Sequence, residues 1–138
     1  MTPRVLDASV AIKWFVDEEA GHAAAQVVLE HVCSDPSQFV VPELFFSEML
    51  AVLCKLLGGG PRVVEYLEIL EDLGLERVGN GRQLLARAAT LAKSHGLTGY
   101  DATYAATAEL VGGSWLTADA RAHAKLRGTG LSSLLGAR

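Results

Sequence analysis

The sequence predicts an α/β domain in which a mainly parallel sheet carries helices on both faces. Short apolar runs of strand length alternate with longer stretches whose apolar residues recur at helical spacing. Strands separated by helices need crossover connections, and those make neighbouring strands parallel. The chain has 138 residues, 50% of them hydrophobic, which is enough for one real core and too little for two ordinary ones. No internal repeat, low-complexity tract or interdomain linker interrupts it, so residues 1–138 read as a single domain.

The elements follow in order. Arg4 to Asp7 reads as a first strand, followed by a short amphipathic turn through Ala11, Ile12, Trp14 and Phe15. Ala20, Ala24, Val27, Val28 and Val32 recur at helical spacing behind the acidic run Asp17, Glu18 and Glu19, where negative charge favours a solvated helix start. Ser34-Asp35-Pro36-Ser37 breaks that helix, and Gln38 to Val41 is a second strand. Pro42 is placed in the first turn of a helix continuing to Leu57, where proline is tolerated, and the loop Gly58-Gly59-Gly60-Pro61 stops it. No Gly-Lys-Ser/Thr follows those glycines, so they are not a phosphate-binding loop. Arg62 to Leu73 forms a helix closed by Gly74, Glu76 to Val78 a third strand, and Arg82 to His95 a helix closed by Gly96. Thr98 to Val111 is a helix ended by Gly112-Gly113, Ser114 to Leu116 a fourth strand, Ala118 to Leu126 a short last helix, and the tail from Thr129 an edge strand.

Four acids stand where apolar or small residues belong: Asp7 in V-L-D-A-S-V, Glu48 in F-F-S-E-M-L-A-V-L, Asp101 in Y-D-A-T-Y-A-A and Asp119 in W-L-T-A-D-A. A carboxylate taken out of water without a partner costs several kcal/mol or shifts its pKa, so four such acids point to a cation site. In open α/β sheets the ligand crevice lies at the carboxyl ends of the strands. Asp7 closes the first strand and Asp119 lies just past the fourth. Glu48 shares a helical face with Leu44, Ala51 and Val52, so that face should be at least partly buried. Each acid also has a plainer explanation. Asp7 can cap the turn after a strand, Glu48 can pair with a buried arginine, Asp101 can be a helix-start charge, and Asp119 can begin the last helix. Their combination favours a site.

Composition excludes other classes. The formal charge is −4, from 16 acidic and 12 basic residues, and setting the four acids aside leaves twelve against twelve, so the balance neither announces nor forbids a nucleic-acid partner. The N-terminus lacks a signal-peptide pattern and no apolar run approaches the roughly 20 residues that cross a bilayer, so a cytoplasmic protein without membrane association is expected. Cys33 and Cys54 lack a paired-cysteine spacing, and His22, His31, His95 and His123 lack a zinc pattern.

The strings V-L-D-A-S-V-A-I-K-W-F, P-E-L-F-F-S-E-M-L-A-V-L, L-T-G-Y-D-A-T-Y-A-A-T-A-E and W-L-T-A-D-A-R resemble, in order, the four acidic segments of PIN-domain proteins. Among these the chain is most similar to the VapC toxins of prokaryotic toxin–antitoxin pairs. The resemblance implies a three-layer αβα sandwich and a metal-dependent endoribonuclease, with Asp7, Glu48, Asp101 and Asp119 as the acidic quartet and Ser9 and Thr117 as supporting hydroxyls. It also implies an RNA substrate, a VapB-like antitoxin and a homodimer. Hard oxygen ligands select Mg²⁺ or Mn²⁺, held by Asp7, Asp101 and Asp119, with Glu48 a further ligand or the group that orients water. Lys13, Arg82, Arg87 and Arg121 are candidate phosphate contacts, and Trp14, Phe15, Tyr100 and Tyr104 are candidate stacking platforms or core aromatics. The apolar helices between Pro42 and Leu73 can serve a partner or simply the core. Two other classes fit an acidic rim. A receiver-like phosphoacceptor would not require Glu48 and lacks a lysine after a late strand; a binding module would use the acids only for a structural ion.

Overall fold

The computed structural model describes residues 2–16 and 20–137. Within them, strands β1 (Arg4–Leu6), β2 (Phe39–Pro42), β3 (Glu76–Val78), β4 (Ser114–Thr117) and β5 (Ser132–Leu134) form one sheet in the order β3-β2-β1-β4-β5. Every pairing is parallel, with Val5 beside Val40 and Trp115, and Leu6 beside Leu116. The helices are α1 (Ala8–Ala11), α2 (His22–Ser34), α3 (Leu44–Leu57), α4 (Pro61–Asp72), α5 (Arg82–His95), α6 (Gly99–Val111) and α7 (Ala120–Lys125), and 3₁₀ turns cover Ile12–Trp14 and Pro36–Gln38. The expected α/β sandwich is what forms. The acidic start anticipated at Asp17, Glu18 and Glu19 lies outside the described residues.

Alternation along the central strands divides the core in two. Leu6, Phe39, Val41 and Leu116 face one way, against Val28 and Val32 of α2, Met49 and Leu53 of α3, and Val63 and Leu70 of α4. Val5 and Trp115 face the other way, against Leu84 and Leu91 of α5, Ala105 of α6, and Ala122 of α7. Each fully buried large side chain contributes about 1.5–3 kcal/mol through removal from water. The apolar face of α2 is centred on Ala25, Val28 and Val32; Val27 points outward at 50% exposure, and Ala20 precedes the helix.

Pro42 corrects one expectation. It ends β2 opposite Val78 rather than opening the helix, and Glu43 N–H continues the ladder to Val78 C=O at 2.9 Å. Pairing of β2 with β1 reaches only Val40, so no donor is needed from Pro42 on that side. The helix starts at Leu44. Other boundaries move by a residue or two for identifiable reasons: Thr98 caps α6 by accepting the Asp101 N–H, and Asp119 caps α7. Gly96 ends α5 in the left-handed region at φ 66°, as its position after His95 suggests.

Gly113 marks the tightest passage. The chain turns there from α6 into β4 so close to β1 that a Cβ would overlap the Pro3 carbonyl oxygen, which itself accepts the Ser114 N–H at 3.1 Å. Gly113→Ala should therefore push β4 away from β1 and destabilise the domain by about 1–3 kcal/mol. A denaturation midpoint equal to the parent's would contradict this.

Candidate functional site

β1 and β4 are adjacent and parallel, so their carboxyl ends deliver Asp7 and Thr117 to the same point of the rim. Asp7 N–H bonds the Leu116 carbonyl at 3.1 Å, which fixes the turn out of β1. The Asp7 side chain caps α1, and its Oδ2 takes everything offered: the Ser9 N–H at 3.3 Å, the Ser9 hydroxyl, and the Thr117 hydroxyl at 3.1 Å. The same two hydroxyls reach on to the next acid. Thr117 Oγ1 accepts the Asp119 N–H at 3.0 Å, and Ser9 Oγ accepts the Ala118 N–H at 3.0 Å. Ser9 and Thr117 thus tie the two rim acids together.

Asp119 caps α7 with Oδ1, which accepts the N–H groups of Arg121 at 2.9 Å and Ala122 at 3.1 Å. Asp101 sits half-buried in the first turn of α6. Glu48 is half-buried on α3, one turn after Leu44, which packs against the core on the α5–α7 side of the sheet. Ala51 on the same helix is exposed, so only part of the face predicted for Glu48 is covered. The plainer roles of Asp7 and Asp119 as caps are therefore real. The caps use one oxygen each, Oδ2 of Asp7 and Oδ1 of Asp119.

Electrostatics links the four acids. Burial pushes the Asp7 carboxyl above its ordinary range, against hydrogen bonds from Ser9 and Thr117 that favour the charged form. Burial also raises Glu48; the Tyr104 hydroxyl opposes this, and the charges of Asp7 and Asp101 add to it. Asp101 is raised by burial and by Asp119, with Thr98 and Lys125 acting in the other direction. Each acid thus perturbs or is perturbed by another, although among the described residues no three His, Cys, Asp or Glu side chains close into a ready-made metal cage. Two of the carboxylates are held in place by their caps, and like charges repel. The donor set still suits a hard divalent cation. It is all oxygen, it is crowded with negative charge, and Glu48 Oε1 is buried with no hydrogen-bond partner.

Sequence reasoning did not connect two aromatic residues with the acids. Tyr104 and Trp115 lie beneath the acids at 1% and 0% exposure, their rings stacked with centroids 5.6 Å apart. The spacing carried a signal: Tyr104 follows Asp101 by three on a helix, and Trp115 precedes Thr117 by two on a strand, so each shares its neighbour's face. Burial removes Tyr104 as a base-stacking platform. Trp14 donates its Nε1–H to the Ala25 carbonyl at 2.8 Å, and Phe15 stacks on Tyr66 at 4.5 Å, so both serve packing. Tyr100, at 64% exposure, is the stacking candidate that faces solvent. Of the basic candidates, Arg121 follows the α7 cap, Arg82 is exposed, and Arg87 is paired with Glu109, its Nη2 2.9 Å from Oε2. Lys13 offers its carbonyl to His22 Nδ1 at 2.6 Å. Cys33 and Cys54 are both free.

The raised carboxyls carry a sign. Asp7, Glu48 and Asp101 hold protons more tightly folded than unfolded, so stability is fullest below the unfolded carboxylate pKa. It is lost as pH climbs from there through the raised folded values. In chelator, the denaturation midpoint should fall as pH rises across that window, and Asp7→Asn should flatten the slope and stabilise the protein at neutral pH. An unchanged slope in the variant would show that Asp7 is not strained.

The model of the PIN domain family matches residues 4–128. Among solved structures, the fold is similar to a toxin–antitoxin complex from Klebsiella pneumoniae, with TM-score 0.72 and 17% identity over 94% of this chain and 95% of that one. It is similar to PAE2754 from Pyrobaculum aerophilum, with TM-score 0.67 and 23% identity over 95% and 89% of the two chains. VapBC2 from Rickettsia felis, bound to a DNA fragment from their promoter, aligns with TM-score 0.69 and 12% identity over 95% and 97%. No curated protein matches the chain at a significant level.

Proposed function

The chain belongs to the PIN domain family, and from that premise we propose that it is a Mg²⁺- or Mn²⁺-dependent endoribonuclease, the toxin of a VapBC-type toxin–antitoxin pair. The observation that carries this reading is the quartet itself, four carboxylates from four different segments at the carboxyl rim of the sheet, close enough that the charges of Asp7 and Asp101 raise Glu48 and the charge of Asp119 raises Asp101. A receiver-like phosphoacceptor would have no use for Glu48.

When bound, the cation polarises a phosphoryl oxygen, lowers the pKa of a water and neutralises charge on the leaving oxygen. Asp7, Asp101 and Asp119 would hold it, Asp7 and Asp119 through the oxygens their caps leave open. Ser9 and Thr117 fix the Asp7 carboxylate so that no reorganisation is needed when substrate arrives. Glu48, with its buried oxygen unclaimed, joins the ligands or orients the attacking water. Arg121, exposed two residues after Asp119, is the proposed contact to RNA phosphate, and exposed Tyr100 the proposed stack on a base.

The partner reading is supported by the toxin–antitoxin structures this fold resembles and by apolar residues left at the surface of α3 and α4. Leu50, Leu56, Val64 and Ile69 are 47%, 46%, 53% and 45% exposed. A VapB-like antitoxin and a second copy of the chain are the proposed occupants of such surfaces, in the cytoplasm. Among the described residues no helix is long and apolar enough to cross a membrane.

Purified protein should cleave mixed cellular RNA in Mg²⁺ or Mn²⁺ and stop in excess chelator, and Asp7→Asn should lower turnover at least about a hundredfold with the circular dichroism spectrum preserved. Cleavage undiminished by chelator would rule the mechanism out. A binding module with a structural ion would instead show no cleavage in any metal. In sedimentation experiments the free chain should be a dimer at micromolar concentration; a strictly monomeric species would remove the homodimer from this proposal.

A further inference from the structure

Glu48 Oε1, the Tyr104 hydroxyl and the Trp115 indole Nε1–H are buried side-chain polar atoms with no hydrogen-bond partner. A buried group left unmade costs more than a made bond returns, and such groups in a folded protein call for an explanation. These three share one place. Tyr104 stacks on Trp115, the indole is turned toward Asp7, and the phenol faces both Asp7 and Glu48. Elsewhere on α6 the buried hydroxyls of Thr103 and Thr107 are spent on their own helix, donating to the carbonyls of Gly99 and Thr103 at 2.8 and 2.7 Å. Tyr104 is not spent.

We propose that Tyr104 is a positioning residue for Glu48, its hydroxyl donating to the carboxylate from below and aiming it at the space shared with Asp7 and Asp101. The proposal rests on the metal-site reading above. A phenol suits the task because its ordinary pKa of about 10 lies well above neutrality, so it carries a proton to donate. The stack on Trp115 fixes the ring, whose hydroxyl lies beside the Glu48 carboxylate. Partners that orient a ligand from behind commonly change metal affinity or activity by about ten- to hundredfold when removed.

The test is a double-mutant cycle with Tyr104→Phe, Glu48→Gln and the pair, which keeps the aromatic stack in place. Mn²⁺ affinity by titration calorimetry and the kcat and KM for a single-stranded RNA are measured for all four proteins. Tyr104→Phe should weaken Mn²⁺ binding and lower kcat by about ten- to hundredfold, leave KM for RNA unchanged, and have no further effect once Glu48 is Gln. An orphaned hydroxyl with no such role predicts the reverse, a variant that melts higher than the parent with affinity and kcat intact, and that result would overturn the proposal. Equal losses in both backgrounds would overturn it too, while the parent's RNA cleavage still upheld the nuclease reading. Coupled losses of Mn²⁺ affinity in a protein that cuts no RNA would sink the nuclease reading and leave Tyr104 in its role.

Discussion

The rim is organised by one contact between residues far apart in the chain, the hydrogen bond from the Thr117 hydroxyl to Asp7 Oδ2. It joins the ends of the two central strands at the point where their side-chain alternation would otherwise leave a buried charge unanswered. Ser9 completes the arrangement from below, and through the same pair of hydroxyls the backbone of Ala118 and Asp119 is held in register with Asp7. A buried carboxylate is tolerated here because it is nearly saturated on one side. What it keeps open on the other side is the chemistry.

The same economy recurs at Asp119. Helix caps are ordinary stabilising devices, worth about 1 kcal/mol, and they need only one oxygen of an aspartate. By drawing two of its acids from cap positions, the fold lets the backbone N–H groups of short helices help to hold those carboxylates. Glu48 and Asp101 cap no helix, and both are raised by burial and by like charge, with Tyr104 opposing at Glu48 and Thr98 and Lys125 at Asp101. The site therefore has a well-anchored half built on β1 and β4 and a less anchored half built on α3 and α6.

Much of this was legible in the sequence because its signals are local. Strand and helix lengths, the glycines after His95 and Val111, and acids interrupting apolar runs each depend on a few adjacent residues. Pro42 misled because its two permissible settings, a strand end and a helix start, lie side by side here; only the register against β1 and β3 chooses between them. The face of Glu48 was read from helical spacing as at least partly buried, and Leu44, Glu48 and Val52 are half-buried while Ala51 is exposed; which part is covered depends on which neighbours arrive from elsewhere. Tyr104 and Trp115 went unread as members of the site for a related reason. An aromatic in an apolar stretch explains itself as core, and its polar atom matters only once a distant acid is known to face it.

The separation of Asp7 and Thr117 by 110 residues has a temporal side. A parallel sheet cannot be closed by neighbours in sequence, and β4, which holds Asp7 in place, emerges only after α6 has been made. On the ribosome, at about 5–20 residues per second, the first acid waits several seconds for the last. Throughout that interval the nascent chain has strands and helices but no assembled acid cluster. The wiring of the fold thus withholds the acid cluster from the nascent chain until β4 has been made.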